Sequence, residues 1–143
     1  MPGKDSGIRA QASVDAATVA AFAEALRKAV RLSSMVVFGS RATGDNLEDS
    51  DYDILVLSPD FERYDRVERI VFLLESWPGA VCLEPVAMTP DEFEAADGAL
   101  VWDILDEGLV IVDDGTFERK RFRHLERVGS GELRKEEGFW VFS

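Results

Sequence analysis

Apolar residues follow two rhythms along this chain: a three- or four-residue recurrence that predicts helices, and short unbroken runs that predict buried strands. From Ser13, a candidate N-cap, to about Leu32, the residues Val19, Phe22, Leu26, Ala29 and Val30 share one helical face, and Arg27, Lys28 and Arg31 fill the last turn. Met35-Val36-Val37-Phe38, bounded by Ser33-Ser34 and Gly39-Ser40, reads as a buried strand. The polar stretch Ser40 to Leu47 has room for one or two helical turns. Asp51 to Leu57 then predicts a second strand, ended by Ser58-Pro59. Arg63 to Trp77 predicts a helix whose buried stripe is Val67, Ile70, Val71, Leu74 and Trp77, with Pro78-Gly79 as its stop.

Ala80 to Met88 is a third strand, and Pro85 inside it predicts an edge position or a bulge, because proline cannot donate to a ladder. Thr89-Pro90-Asp91-Glu92 carries a cap, a proline at the first helical position and first-turn acids, so a short helix starts there. A further helix is expected over Leu100 to Glu107, closed by Gly108, with a fourth strand at Leu109 to Val112. Phe117, Phe122, Leu125 and Val128 give the last helix an apolar side. Phe139-Trp140-Val141-Phe142 is too apolar to leave in water and is expected to dock as an edge strand. The sum is an α/β chain of the α+β kind, with a mixed sheet of about four to five strands flanked by helices.

Length changes this picture little: 143 residues fit one domain with a single core and leave no room for a second. A flexible leader is expected over residues 1–12, a main domain over 13–115, and a C-terminal helix and tail packed on that domain over 116–143. Met1 to Ser13 has no apolar stretch of the signal-peptide kind, and no later run is long enough to span a bilayer, so a cytoplasmic protein is expected. Cys82 is the only cysteine and sits in an apolar run, which predicts a core side chain and no intramolecular disulfide.

Charge adds a constraint. The net charge of −12 opposes general nucleic-acid binding through phosphate neutralisation. Residues 116–143 nevertheless hold seven Lys/Arg against five Glu, while Asp45, Glu48, Asp49, Asp51 and Asp53 crowd together and repel one another unless cations or water intervene. The lone histidine, His124, lies in the basic helical segment and is expected at the surface without a catalytic role.

Three features carry candidate chemistry. Gly39-Ser40 ends a strand, where a residue without Cβ lets backbone N–H groups approach a phosphate and a hydroxyl adds a hydrogen bond. Asp51 and Asp53 stand at i, i+2 on a predicted strand, which aims both carboxylates to one face with Cα atoms about 6.6 Å apart. That pair suits a divalent cation that takes hard oxygen ligands together with substrate phosphates, or is simply a solvated strand start. Glu84 interrupts the third apolar run. It is either an edge-facing residue beside a bulge or, if its strand lies beside Asp51 to Leu57, a further metal ligand or proton acceptor.

Gly39-Ser40-Arg41-Ala42-Thr43-Gly44 followed by Ser50-Asp51-Tyr52-Asp53 resembles the GS-x(3)-G…SD-x-D pattern of the polymerase β-type nucleotidyltransferase superfamily, in particular its minimal nucleotidyltransferases. The resemblance covers most of the chain and only loosely the last thirty residues. It implies that Gly39 and Ser40 hold the β- and γ-phosphates of an NTP, expected to be ATP. It also implies that Asp51 and Asp53 ligate two Mg²⁺ ions while an acceptor hydroxyl displaces pyrophosphate. The third acid of the family is usually Asp; here Glu84 stands in its place. Arg41 either pairs with a triphosphate oxygen or is an exposed arginine on a helix turn. Families of this size commonly pair with a small HEPN-type helical protein as toxin and antitoxin, so the resemblance makes a tyrosine on such a partner a candidate acceptor and a homo- or hetero-oligomer an expectation. The alternative is a non-catalytic nucleotide- or partner-binding module that keeps the same scaffold.

Overall fold

The structure, a computed structural model, describes residues 14–44 and 50–142. The expected leader, the N-cap assigned to Ser13, and the acids Asp45, Glu48 and Asp49 lie outside the described residues.

Four strands form one mixed sheet. β1 (Ser34–Phe38) and β2 (Tyr52–Leu57) are its central pair, β3 (Leu83–Met88) and β4 (Leu109–Asp113) its edges, in the order β3-β2-β1-β4. β1 runs antiparallel to both β2 and β4, and β2 runs parallel to β3. Every residue of β1 is buried, as expected of an apolar run closed in on both faces. Pro85 sits on the edge strand, where its missing N–H costs nothing. β4 carries a bulge opposite Met35 and Val36.

Alternation along β1 and β2 sends side chains into two cores. Met35, Val37, Tyr52, Ile54 and Val56 pack on one face against Val19, Phe22 and Leu26 of α1 (Ala16–Arg27) and against Leu73. Val36, Phe38, Leu55 and Leu57 pack on the other against Phe93, Val101, Ile104, Leu105 and Phe117. Asp15 caps α1, its carboxylate accepting from Ala17 N at 3.1 Å, and the helix ends at Arg27 rather than near Leu32.

The parallel β2–β3 pair requires a crossover. A 3₁₀ turn (Pro59–Arg63) follows β2. After the four-residue α2 (Ser40–Thr43), the next α-helix is α3 (Arg66–Ser76), opened by a reciprocal capping box between Asp65 and Glu68. The helix expected over Arg63 to Trp77 is present as one unbroken helix that begins three residues later, at Arg66, and ends at Ser76. Its buried side also differs: Leu73 is fully buried and Ile70 and Trp77 partly so, but Val67, Val71 and Leu74, expected in the core, are exposed. Ile70 to Leu74 is an unbroken apolar run, so the 3.6-residue period alone defines two apolar faces and tertiary packing selects one.

α4 (Pro90–Ala95) begins at Thr89 with a capping box to Glu92, as its sequence predicts. α5 (Ala99–Glu107) and α6 (Thr116–Gly129) complete the second helical layer. The tail does not extend the main sheet. β5 (Leu133–Glu136) and β6 (Phe139–Phe142) form a separate hairpin, turned by Glu137 and Gly138 at φ of 51° and 86°. Trp140 anchors it to α5 through an indole N–H donated to Asp103 at 2.8 Å, and Lys135 pairs with the same carboxylate at 2.7 Å.

Two further expectations are overturned. His124 is buried beneath Trp140, with its Nε2 3.3 Å from Asp106 Oδ1, because the hairpin covers the face of α6 that helical spacing alone leaves in solvent. Burial holds its imidazole below the usual histidine range. Cys82 is exposed, since it precedes β3 instead of lying within it. Phe117 is the fully buried apolar residue of α6, whereas Phe122 and Leu125 remain exposed. No helix among the described residues is long and apolar enough to cross a membrane.

Candidate active site

Gly39 follows Phe38 with φ of 72° and opens α2. A Cβ at Gly39 would overlap Asp53 Oδ2 and lie 3.2 Å from its Cγ. Glycine is thus required twice, once for the left-handed backbone and once so that the loop can lie directly against a carboxylate. Ser40 begins α2, so its N–H has no acceptor within the helix, and its side chain is half-exposed beside that loop.

β2 and β3 supply the acids. In the parallel pair Asp53 is directly opposite Glu84, so both side chains leave the same face of neighbouring strands. In the antiparallel pair Asp53 is opposite Phe38, which carries it next to Gly39. Asp51 lies one residue ahead of β2, two positions before Asp53. Burial first, then a hydrogen bond with the Glu84 carboxyl, then the charges of Glu84 and Asp51, push the Asp53 carboxyl from 3.8 up to about 6. The structure thereby brings together Gly39, Ser40, Asp51, Asp53 and Glu84, residues drawn from three stretches of the chain.

Like charges this close are held either by a shared proton or by a cation. Among the described residues no three carboxylates stand in a ready coordination shell. The donor set itself, carboxylate oxygens beside an open backbone loop, fits a hard divalent ion such as Mg²⁺, for which substrate phosphates complete the ligand count.

Arg41 is neither exposed nor idle. It is 7% exposed, donates from Nη2 to the Ser50 carbonyl at 2.7 Å and from Nε to the same oxygen at 3.2 Å, and places its guanidinium 4.2 Å from the centre of the Tyr52 ring. The Tyr52 hydroxyl accepts from the Asp15 N–H at 2.9 Å, and its ring packs against Trp77 at 5.2 Å. Tyr52 N–H donates to the Cys82 carbonyl at 2.9 Å, which ties the start of β2 to the segment leading into β3. Sequence reasoning passed over the middle residue of Asp-x-Asp, whose side chain anchors the start of β2 in the core between the two acids. Its signal was parity: a side chain between two acids on a strand faces the opposite way, into the core.

The family model of the nucleotidyltransferase domain matches residues 19–128. None of the curated proteins compared with the sequence matches it. Among solved structures, a toxin–antitoxin complex with AMP-PNP superposes with a TM-score of 0.56 at 20% identity, covering 83% of this chain and 93% of that chain. The toxin–antitoxin MntA–HepT superposes with a TM-score of 0.53 at 18% identity, covering 82% and 92% respectively. These two likenesses establish a shared α+β architecture with a four-stranded mixed sheet. With the domain model spanning most of the sequence and the acids gathered at the end of that sheet, this chain belongs to the nucleotidyltransferase domain family.

Proposed function

We propose that this chain is a minimal nucleotidyltransferase that moves a nucleoside monophosphate from ATP to an acceptor hydroxyl, and that its natural acceptor is a HEPN-type partner protein in a toxin–antitoxin pair. The observation that carries the reading is the contact of the Gly39 loop with an Asp53 carboxyl that is itself paired with Glu84. It sets a surface suited to phosphate against one suited to a cation. The partner rests on the toxin–antitoxin assemblies among the structural relatives.

In this reading the backbone at Gly39 and the N–H and hydroxyl of Ser40 hold the β- and γ-phosphates. Asp51, Asp53 and Glu84 would hold two Mg²⁺ ions, which supply charge stabilisation at the entering and leaving oxygens. The acceptor oxygen bonds to the α-phosphorus as the bond from that phosphorus to the bridging oxygen breaks, and pyrophosphate leaves. Glu84, exposed at the sheet edge, takes the proton of the acceptor hydroxyl. Arg41 serves the site from behind: by gripping Ser50 it fixes Asp51 relative to the Gly39-Ser40 loop.

The test is transfer of label from α-labelled ATP, with Mg²⁺ and the product of the adjacent gene as acceptor, by the wild type and by Asp51→Ala/Asp53→Ala. The expected result is transfer by the wild type and a loss of about 10³-fold or more in the double variant, equivalent to about 4 kcal/mol of barrier. Transfer that persists in the double variant refutes the site. No transfer by the wild type, together with retained Mg·ATP binding, selects the non-catalytic module, to which the longer Glu84 in place of the family's usual Asp points.

A further inference from the structure

α3 carries apolar residues on nearly every side, yet only one side meets the sheet. Opposite that side, Tyr64, Val67, Val71 and Leu74 are 42%, 68%, 46% and 47% exposed. Val67, Val71 and Leu74, spaced four and three residues apart, line up as a single stripe, the seam that a second helix occupies in a coiled pair, and Tyr64, extended just ahead of the helix, lines the groove beside it. The stripe borders a groove of about 380 Å³ between α3 and the turn after α1, floored by Ala29, Phe61 and Phe72. A contiguous apolar stripe on an otherwise charged surface marks an interaction site.

Charge defines what fits. Of the three charged residues that line the groove, Arg69 is paired with Glu92 at 2.7 Å, whereas Glu68 and Glu75, seven residues apart, lie one position after Val67 and Leu74 and so fall on one flank of the stripe. Two copies of this chain stacked antiparallel through the stripe would bring these carboxylates face to face, and each copy carries a net charge of −12. A helix with an apolar stripe and a row of Lys or Arg beside it meets neither penalty. We propose that the outward face of α3 is the docking surface for an amphipathic helix of a partner protein, with basic residues on the flank that faces Glu68 and Glu75. The surface is formed on the opposite face of the sheet from Asp53 and Glu84, so docking leaves the carboxylates open. The inference stands apart from the transfer reading, and its test is run without nucleotide.

The probes are two helix-stabilised synthetic peptides with the same leucine stripe, one flanked by lysines and one by glutamates. They are titrated into the full chain while the methyl resonances of Val67, Val71 and Leu74 are followed. The expected result is saturable binding of the lysine-flanked peptide, with shifts centred on those three residues and affinity that falls with salt. Val67→Ser/Val71→Ser should weaken it at least tenfold. Glu75→Lys, at an exposed residue outside the capping box, should weaken the lysine-flanked peptide severalfold and improve the glutamate-flanked one. Circular dichroism confirms that each variant is folded. Binding of neither peptide, equal binding of both, or shifts centred elsewhere overturns the proposal. Concentration-dependent dimerisation abolished by Val67→Ser/Val71→Ser assigns the stripe to a second copy, and adsorption to phosphatidylcholine vesicles through the stripe assigns it to a membrane; either result overturns it too.

Discussion

The carboxylate end of the sheet and the outward face of α3 break the usual relation to solvent in opposite senses. At the first, Asp53 is half-buried opposite Glu84 and within the field of Asp51, so that it retains its proton up to about pH 6. At the second, aliphatic side chains that belong in a core stand in water. Neither arrangement helps the isolated chain fold. Crowded carboxylates oppose one another and exposed valines forgo burial that would contribute about 1.5–3 kcal/mol for each side chain. The sheet shows why both are tolerated: β1 is wholly buried and its two faces are filled by large side chains, so the core carries stability that the two surfaces need not supply. The difference lies in what relieves each one. A cation or proton relieves the first, and an apolar partner the second.

The largest effect that separates the two regions should come from Gly39→Ala. The added Cβ meets the Asp53 carboxylate and the residue must hold φ near 72°, so Asp53 is displaced. Transfer should fall about 10²-fold or more, the order expected for a misplacement near 1 Å, while stability in urea falls by about 1–3 kcal/mol. A variant with wild-type turnover would show that the loop and the carboxylate do not work as a unit.

A smaller effect is expected from pH. Below about pH 4 Asp53 is protonated in both folded and unfolded chains, so its contribution is fully present. Between about pH 4 and 6 the unfolded chain releases this proton while the folded chain keeps it, and the stability is lost as pH rises through the folded value. After allowance for solvent screening at a half-exposed site, the loss is about 1–2 kcal/mol. Asp60 and Glu92, held below their ordinary values by Arg31 and Arg69, slope the other way, so the quantity to measure is the difference between wild type and Asp53→Asn in metal-free urea melts. That difference should grow in favour of Asp53→Asn from pH 4 to pH 6.5; a flat difference would remove Asp53 from the account.

The smallest effect belongs to α3. Val67→Ser/Val71→Ser touches no core contact, so unfolding free energy in urea should change by no more than about 0.5 kcal/mol per site. A loss of several kcal/mol would mean that the stripe is part of the core after all.

How far the sequence speaks follows the same divide. β1, β2 and the Asp51/Asp53 pair were legible because local rules suffice there: short β-branched runs make buried strands, and i, i+2 acids share a face. The helix start at Thr89 was legible because capping is written within four residues. The buried side of α3 was not, because Ile70 to Leu74 satisfies two helical faces equally. His124 and Cys82 were misplaced for a related reason: one is covered by a hairpin that packs on α6, and the other is left outside a strand whose start is set by its pairing with Tyr52. The reason for Gly39 is likewise tertiary. Its sequence context suggests room for a phosphate, whereas the structure shows first a carboxylate fourteen residues away pressed against it.

The central claim, that Asp51, Asp53 and Glu84 form one cation-binding unit, is tested most directly by calorimetry of Mg²⁺ binding at pH 6 in two buffers of different ionisation enthalpy. With Asp53 pushed up to about 6, ion binding should release about half a proton per molecule. The release should vanish in Asp53→Asn, and binding should be lost in Asp51→Ala/Asp53→Ala. Mg²⁺ binding without proton release, or binding that the double variant retains, would contradict the account.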